Sequence, residues 1–194
     1  MDTELPEVKT PSQPRVWKKI NSITISFGHG VSTTALQTAV AASALVNGGK
    51  LIEPTFLPRT RDQADAIAKM VIKKSTSDDV RFLLEFNGTR GSGRNARVPG
   101  YNVGSKTGTA DKVVNGRYAH NLNFNSFLAA FPIDNPQYIV MTFIDEPKSG
   151  ERGGGTISAF TALPIARDII ARAAPILGVQ PSFGKDDAAL LASY

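Results

Sequence analysis

The clearest periodic pattern of the chain lies between residues 34 and 49. Thr34 precedes the apolar positions and Gln37 follows three residues later, which is the spacing of an N-terminal capping box. Asn47-Gly48-Gly49 then supplies residues that adopt the left-handed conformation in which helices commonly end. The pattern predicts a helix after Thr34 with one broad apolar face, made of Leu36, Ala39, Val40, Ala44 and Val46.

Two shorter amphipathic segments follow this helix. Asp62 is placed to cap the first of them, and Ser77 or Asp78 to cap the second. Asn87 to Gly93 is rich in glycine and is predicted as a loop. The residues expected to face inward are Ala64, Ile67, Ala68 and Val71 in the first helix, and Val80, Leu83 and Leu84 in the second.

The pattern changes to strands after Val98. The predicted strands are Tyr101–Ala110, Phe124–Phe131 and Tyr138–Asp145. Pro132 to Pro136 forms a tight turn between the last two strands, which are therefore expected to pair antiparallel. The polar stretch Asp111–Asn123 is predicted as a long hairpin loop between the first two.

One more helix is predicted at the end of the chain. It is expected to start at Thr156, with Pro164 bending it or marking its first turn. Its apolar stripe is predicted from Ile165, Ile169, Ala173 and Ile176. Residues 179–194 are interpreted as a loosely held C-terminal tail.

The order of these elements predicts the fold class. Helices, a strand meander and a final helix correspond to an α+β plan, in which helices cover an antiparallel sheet of three strands. Residues 1–20 are proline-punctuated and are interpreted as an extended lead-in. Three strands make a small sheet, so residues 1–178 are interpreted as the later, C-terminal part of one larger domain.

Composition and charge narrow the function classes. The 194 residues carry a net charge of +5, but the basic residues are scattered and no arginine-rich tract occurs, so nucleic-acid binding is not predicted. Cysteine is absent and there are only two histidines, which leaves almost nothing for a thiolate site, a zinc site or a Ser-His-Asp triad. No apolar run approaches the ~20 residues that span a bilayer.

The segment from Gly104 to Ala110 carries the candidate chemistry. It can be compared with a phosphate-binding loop, because Gly100 and Gly104 precede Lys106-Thr107, as in a nucleotide-binding enzyme. Ser105 interrupts that motif, however, and the segment lies in strand pattern. The alternative is Lys-Thr-Gly on a strand, a signature of penicillin-recognising serine enzymes. A strand edge there offers backbone N–H groups to an oxyanion, and a lysine supplies positive potential.

The neighbouring motifs favour the second interpretation. They occur in the order expected for class B penicillin-binding proteins, and the chain from about Glu4 to Val179 resembles the later half of their transpeptidase domain. The likeness is greatest to the division-specific peptidoglycan D,D-transpeptidases of Gram-negative bacteria. The motifs are Phe27-Gly28-His29-Gly30, Thr34-Ala35-Leu36-Gln37, Val46-Asn47-Gly48-Gly49, Lys106-Thr107-Gly108-Thr109-Ala110 and Ser126-Phe127-Leu128-Ala129-Ala130-Phe131-Pro132.

The resemblance implies a fold and an activity. The fold is that of the penicillin-binding protein and serine β-lactamase group, and the reaction is cross-linking of peptidoglycan stem peptides through an acyl-serine, without metal or organic cofactor. Lys106, Thr107, Gly108 and Thr109 would form the catalytic strand, with the Thr109 N–H as one oxyanion donor. The implied partners are the D-Ala-D-Ala stem peptide, β-lactam antibiotics and division proteins. The implied location is the periplasmic side of the bacterial inner membrane, with the anchor outside this chain.

The family motifs Ser-x-x-Lys and Ser-x-Asn do not occur before Lys106. Ser182-Phe183-Gly184-Lys185 matches the first by letters, but it follows the strands and is interpreted as a coincidence. The nucleophile is therefore expected in the upstream half of the same domain, and this chain alone is expected to be inactive. The alternative is a non-catalytic module that binds cell-wall peptide or division proteins. His29 and the 111–123 loop are further candidates for the cleft wall.

Overall fold

The computed structural model describes residues 3–6, 9–114, 117–148 and 155–183. The described part is α+β, as the order of the elements predicts. Its helices are α1 (Lys19–Ser26), α2 (Ala35–Val46), α3 (Arg61–Ala66), α4 (Lys74–Arg90) and α5 (Ala162–Ile176). Its strands are β1 (Lys50–Leu51), β2 (Lys69–Met70), β3 (Gly104–Val114), β4 (Arg117–Phe131) and β5 (Tyr138–Asp145).

The main sheet has three antiparallel strands in the order β3-β4-β5. The turn predicted between the last two strands is confirmed, because β4 ends at Phe131 and β5 begins at Tyr138. The short strands β1 and β2 pair with each other in a separate two-stranded sheet, which the sequence pattern does not predict.

The long hairpin loop predicted at 111–123 is wrong. Strands β3 and β4 continue through almost all of this segment, and their register jumps from Asp111–Asn123 to Lys112–Ala119. The polar sequence misleads because this end of the hairpin has little apolar surface to bury, so no alternation of apolar and polar residues marks it. Backbone pairing extends the strands there without such an alternation.

Helix α2 forms as predicted. The Thr34 hydroxyl accepts from the Gln37 N–H at 3.2 Å, and the Gln37 side chain accepts from the Thr34 N–H at 3.0 Å. The helix ends at Val46, and Gly48 and Gly49 both have positive φ angles. Its predicted face is buried at Val40, Ala44 and Val46, whereas Leu36 is exposed.

The predicted caps of α3 and α4 are wrong. Thr60 caps α3 through a reciprocal pair of hydrogen bonds with Gln63, and Asp62 lies inside the first turn. Helix α4 begins at Lys74, so Ser77 and Asp78 lie within its first turns. Of the residues expected to face inward, Ile67, Val71 and Leu83 are exposed.

Ser77 is buried because it joins two helices. Its hydroxyl donates to Leu45 O at 2.8 Å and accepts from the Gly48 N–H at 3.0 Å. One side chain thus satisfies two backbone groups at the C-terminal end of α2, where the helix leaves its own groups unpaired. This contact sets the position of α4 against α2.

Helix α4 also continues further than the sequence predicts. The segment 87–93 was expected to be a loop, but α4 ends only at Arg90. Gly88 lies in its last turns because a Cβ atom there would come within 2.1 Å of Val103 O. Glycine is unfavourable in a helix interior, but here it allows the helix backbone to touch the residue before β3.

The stripe predicted for α5 is also wrong. The helix begins at Ala162 after a 3-10 turn, Ser158–Phe160, with Pro164 in its first turn. Ile165, Ile169 and Ile176 are exposed. Small residues let the helix lie close to the sheet, and the buried face is Ala162, Leu163, Ala166, Ile170 and Ala174.

The sheet separates two apolar clusters. On one face α5 packs against Phe127, Ala129 and Phe131. On the other face Ala130 packs with Ile133 and with residues of α2 and α4, namely Val46 and Leu84. The sheet is therefore covered on both sides, which gives β3 a rigid support.

The first residues of the predicted tail also contact this core. Val179 is buried in the α5 cluster, and the Ser182 N–H donates to Gly100 O at 2.8 Å. Residues 184–194 lie outside the described residues, so the tail remains a prediction there. Within the described part, none of the helices has the length and apolar character needed to cross a membrane.

We predict that Gly88→Ala destabilises the fold. The new methyl group would overlap Val103 O, and overpacking typically costs about 1–3 kcal/mol, against a gain in helix propensity of at most about 1 kcal/mol. Urea unfolding of the complete transpeptidase domain measures the difference. Asp79→Ala, at an exposed position of the same helix, is the matched control. Equal midpoints for the two variants would contradict the close approach.

Candidate active site

The predicted catalytic residues are consecutive in β3, at the edge of the main sheet. In the described part, β3 pairs with β4 only. The Asn87 side chain donates to Ser105 O at 2.8 Å, so the backbone groups of Ser105 point away from β4. Because these groups alternate along an antiparallel strand, the N–H groups of Thr107 and Thr109 point to the same outer edge.

The side chains of the motif divide between the two faces of the sheet. Lys106 lies opposite Leu128 and Gly108 opposite Ser126, on the face that α2 and α4 cover. Thr107 and Thr109 lie on the other face. The motif therefore presents an amine on one face, hydroxyls on the other and N–H groups between them.

Lys106 is exposed at this edge. Its Nζ donates to Thr107 O at 2.6 Å, which holds the ammonium group beside the outer backbone groups of β3. A positive charge fixed there attracts an anionic group that approaches the strand edge. A phosphate-binding loop is excluded by the local structure, because Lys106 lies inside a strand and not at the start of a helix.

Gly108 gives the motif its close packing with β4. A Cβ atom at this position would lie 2.4 Å from the hydroxyl oxygen of Ser126. The absence of a side chain lets the Ser126 hydroxyl occupy the space beside the strand. Because Gly108 has no side chain, nothing projects from the strand at this position of the sheet face that carries Lys106.

The hydroxyl of Thr107 lies 3.0 Å from the hydroxyl of Ser92. Ser92 belongs to the turn that follows α4, between Gly91 and Gly93. Ser92 is not predicted from the sequence, where residues 87–93 have only the composition of a loop. Two glycines that flank one serine are the only local signal, and the contact with Thr107 depends on tertiary structure.

Thr109 contacts the segment that precedes α5. Its hydroxyl oxygen accepts from the Ser158 N–H at 3.1 Å. The hydroxyl of Ser158, which is buried, donates to Ser126 O at 2.6 Å. Accepting a hydrogen bond uses a lone pair of Thr109, so the Thr109 O–H can still donate.

A buried asparagine reinforces the same segment. The Asn125 amide donates to the Thr161 hydroxyl at 2.7 Å and also to Thr156 O. Asn123 donates to the Thr156 hydroxyl at 3.1 Å. These hydrogen bonds hold residues 156–161 against the sheet next to the motif.

His29 is brought to the β3–β4 hairpin. Its Nε2 lies 2.6 Å from the Tyr118 hydroxyl, and the two ring centres are 5.4 Å apart. Phe27 also stacks with the imidazole, with ring centres 6.5 Å apart. His29 therefore supports the hairpin, and a contact of either residue with substrate remains a prediction.

An ion cluster ties the hairpin to the end of β5. Lys112 Nζ lies 2.6 Å from Glu146 Oε1 and 3.0 Å from Asp145 Oδ1. The hydrogen bonds to Glu146 and Asp145 raise the pKa of the Lys112 ammonium group. The lysine therefore stays charged throughout the physiological range.

Ser182 lies apart from any helix that could orient it. Its backbone N–H bonds to Gly100 O, and Lys185 lies outside the described residues. That the Ser182-to-Lys185 match is a coincidence therefore stays a prediction.

Comparison with known proteins identifies the family. The sequence profile of the penicillin-binding protein transpeptidase domain matches residues 1–171. Stage V sporulation protein D of Bacillus subtilis is 40% identical over 171 residues, which are 84% of this chain and 26% of that protein. The probable peptidoglycan D,D-transpeptidase PenA of Neisseria flavescens is 37% identical over 172 residues, 87% of this chain and 40% of that protein.

Solved structures share the fold. The transpeptidase domain of Burkholderia pseudomallei penicillin-binding protein 3 superposes with a TM-score of 0.83 at 30% identity, over 94% of this chain and 55% of that one. The ampicillin complex of Mycobacterium tuberculosis penicillin-binding protein 3 has a TM-score of 0.77 at 24% identity, over 94% of this chain and 44% of that one. The chain thus spans about half or less of the proteins it matches, and it belongs to the penicillin-binding protein transpeptidase family.

Proposed function

We propose that this chain supplies the Lys-Thr-Gly strand of a serine-type peptidoglycan D,D-transpeptidase. The observation that carries the proposal is the outer edge of β3, where the Thr109 N–H points outward beside the Lys106 ammonium group. A backbone N–H on a rigid strand is suited to stabilise an oxyanion, because it needs no reorganisation during the reaction.

The reaction follows from this geometry and from acyl-transfer chemistry. A serine hydroxyl from the upstream half of the domain loses its proton to a base and attacks the D-Ala-D-Ala carbonyl carbon. The peptide C–N bond breaks, D-alanine leaves with a proton on its nitrogen, and an acyl-serine ester forms. A stem-peptide amine then attacks the ester carbon and forms the amide cross-link; the ester C–O bond breaks, and the proton lost by the amine returns to the serine oxygen.

Each residue of the strand has a role in this scheme. The Thr109 N–H donates to the oxyanion, and the N–H of the nucleophilic serine supplies the second donor. Lys106 keeps the cleft electropositive on the side of the substrate carboxylate and assists proton movement. Thr107 and Thr109 offer hydroxyls to that carboxylate, and Gly108 allows close approach.

The relatives support this activity and its setting. Two of them carry the names probable peptidoglycan D,D-transpeptidase PenA and FtsI, from Neisseria flavescens and Caulobacter vibrioides. Penicillin-binding protein 3 of Mycobacterium tuberculosis has been solved with ampicillin and with aztreonam. By analogy we propose stem peptides and β-lactams as ligands, division proteins as partners, and the periplasmic side of the inner membrane as the location.

Exposed apolar surface supports the proposed upstream half. Ile165 and Ile169 are exposed on α5, although both lie on an apolar stripe. In the described part, β5 pairs with β4 only, so its other edge is open for a further strand. An upstream segment that covers this stripe and pairs with β5 would bury both features.

We predict that Thr109→Pro slows acylation of the complete transpeptidase domain by a fluorescent penicillin. Proline removes the N–H, and loss of one oxyanion donor typically costs about 10²–10³-fold in rate, or roughly 2.7–4 kcal/mol. The pairing of β3 with β4 should tolerate the change, because this N–H points to the outer edge and makes no bond to β4; the hydrogen bond from the Ser158 N–H to the Thr109 hydroxyl is lost. Stopped-flow fluorescence gives the acylation rate.

Thr109→Val is the matched control for this prediction. It keeps the N–H and removes the hydroxyl, so its acylation rate should fall less than that of Thr109→Pro. A rate for Thr109→Pro equal to that of the unmodified domain would place the oxyanion donor elsewhere.

We also predict that the chain by itself forms no covalent adduct with penicillin. An unactivated serine is a poor nucleophile, and no serine before Lys106 has a lysine at the Ser-x-x-Lys spacing. Adding the upstream half, as a separate chain or a fusion, should restore labelling. Mass spectrometry of the penicillin-treated chain decides the matter, and a stoichiometric adduct on any of its serines would overturn the prediction.

A further inference from the structure

The turn that carries Ser92 is built around one amide side chain. Asn87, on α4, donates through Nδ2 to Ser105 O at 2.8 Å. Its Oδ1 accepts from the Ser92 N–H at 3.2 Å and lies 3.3 Å from the Ser92 hydroxyl oxygen. One side chain thus holds both the residue before Lys106 and the residue that contacts Thr107.

The two glycines of the turn pack closely against this amide. A Cβ atom at Gly91 would lie 2.2 Å from Asn87 Oδ1, and one at Gly93 would lie 3.0 Å from Asn87 Nδ2 and 2.0 Å from Ser105 Oγ. Neither glycine has a positive φ angle, so backbone conformation does not explain why they are needed. They are needed because the turn closes directly on the amide.

The N–H group and the carbonyl oxygen of the Asn87 amide bond to different partners. The N–H end is the only one that can bond Ser105 O, since a carbonyl oxygen accepts and does not donate. The carbonyl end holds the Ser92 backbone. The distance of 3.0 Å between the hydroxyls of Ser92 and Thr107 is therefore fixed by an asparagine that lies on a different element.

We propose that Asn87 is a positioning residue for acyl transfer, which couples helix α4 to the outer edge of β3 and keeps Ser92 against Thr107. The inference rests on the proposed function, because it assumes that this edge binds the acyl donor. Asn87 does not touch the reacting atoms in this scheme; it acts through Ser105 and Ser92. Displacement of a positioned group by about 1 Å can cost 10²-fold in rate.

Asn87→Asp tests the proposal through its pH dependence. The variant has the same shape, but its carboxylate cannot donate and faces Ser105 O. We expect penicillin acylation of the complete domain to fall about 10- to 100-fold near pH 8. As the pH falls and the carboxyl group gains a proton, its O–H can again donate to Ser105 O, so the rate relative to the unmodified domain should rise.

Asn95→Asp is the matched control. Asn95 is exposed and lies in the same connection between α4 and β3, so it introduces the same charge without the contacts. Its acylation rate should follow that of the unmodified domain at every pH. Circular dichroism establishes that each variant is folded where its rate is measured.

The outcomes separate this inference from the proposed function. If the unmodified domain is not acylated, the proposed function fails. If it is acylated and folded Asn87→Asp reacts equally fast, or reacts more slowly by a factor that does not change with pH, the role of Asn87 is overturned. Should Asn87→Asp not fold, Gly91→Ala displaces the amide instead, and an unchanged rate for that folded variant overturns the inference.

Discussion

The contact between the end of α4 and the beginning of β3 determines the geometry of everything around the Lys-Thr-Gly strand. It is a contact of backbone with backbone, possible only because Gly88 has no side chain where Val103 O lies. Leu84 of the same helix reaches the apolar cluster under the sheet. The helix therefore supports the edge strand from its end and from one face.

The other face of the sheet has a different kind of support. Helix α5 uses small residues to approach the sheet, and the buried amide of Asn125 replaces apolar contact with hydrogen bonds to the segment before the helix. A buried N–H group is costly unless it is paired, so the two bonds that Asn125 Nδ2 donates favour one arrangement of the segment. Packing of small residues thus sets the distance between α5 and the sheet, and the polar contacts set the position of the segment that precedes the helix.

Elements whose ends are stabilised by residues close in the sequence are predictable, and elements whose ends are stabilised by tertiary contacts are not. The cap of α2 was predictable because Thr34 and Gln37 satisfy each other locally. The end of α4 was not, because Asn87 and Gly88 are poor helix formers whose contacts are with β3. The stripe of α5 failed for a similar reason: three of its four residues are exposed isoleucines, whereas the face against the sheet combines small alanines with Leu163 and Ile170.

The residues of the candidate site also fall into a group that the sequence predicts and a group that only the structure brings together. Lys106 to Thr109 lie next to one another in the sequence, so the Lys-Thr-Gly string and the neighbouring motifs are enough to predict them on one strand, which the structure shows to be the edge strand β3. Ser92 contacts Thr107 of that strand only through tertiary structure, and no pattern in the sequence predicts this contact. The extension of β3 and β4 into residues 111–123 is not predictable from the sequence pattern, because backbone pairing does not require an alternation of apolar and polar side chains.

The 3-10 turn before α5 has a consequence for dynamics. The amide proton of Ser158 bonds to Thr109 in β3, while the hydroxyl of the same residue bonds to β4. Opening of this turn therefore breaks hydrogen bonds to two adjacent strands. Protection against hydrogen exchange at the Ser158 amide therefore reports the contact of this turn with β3 from outside the strand.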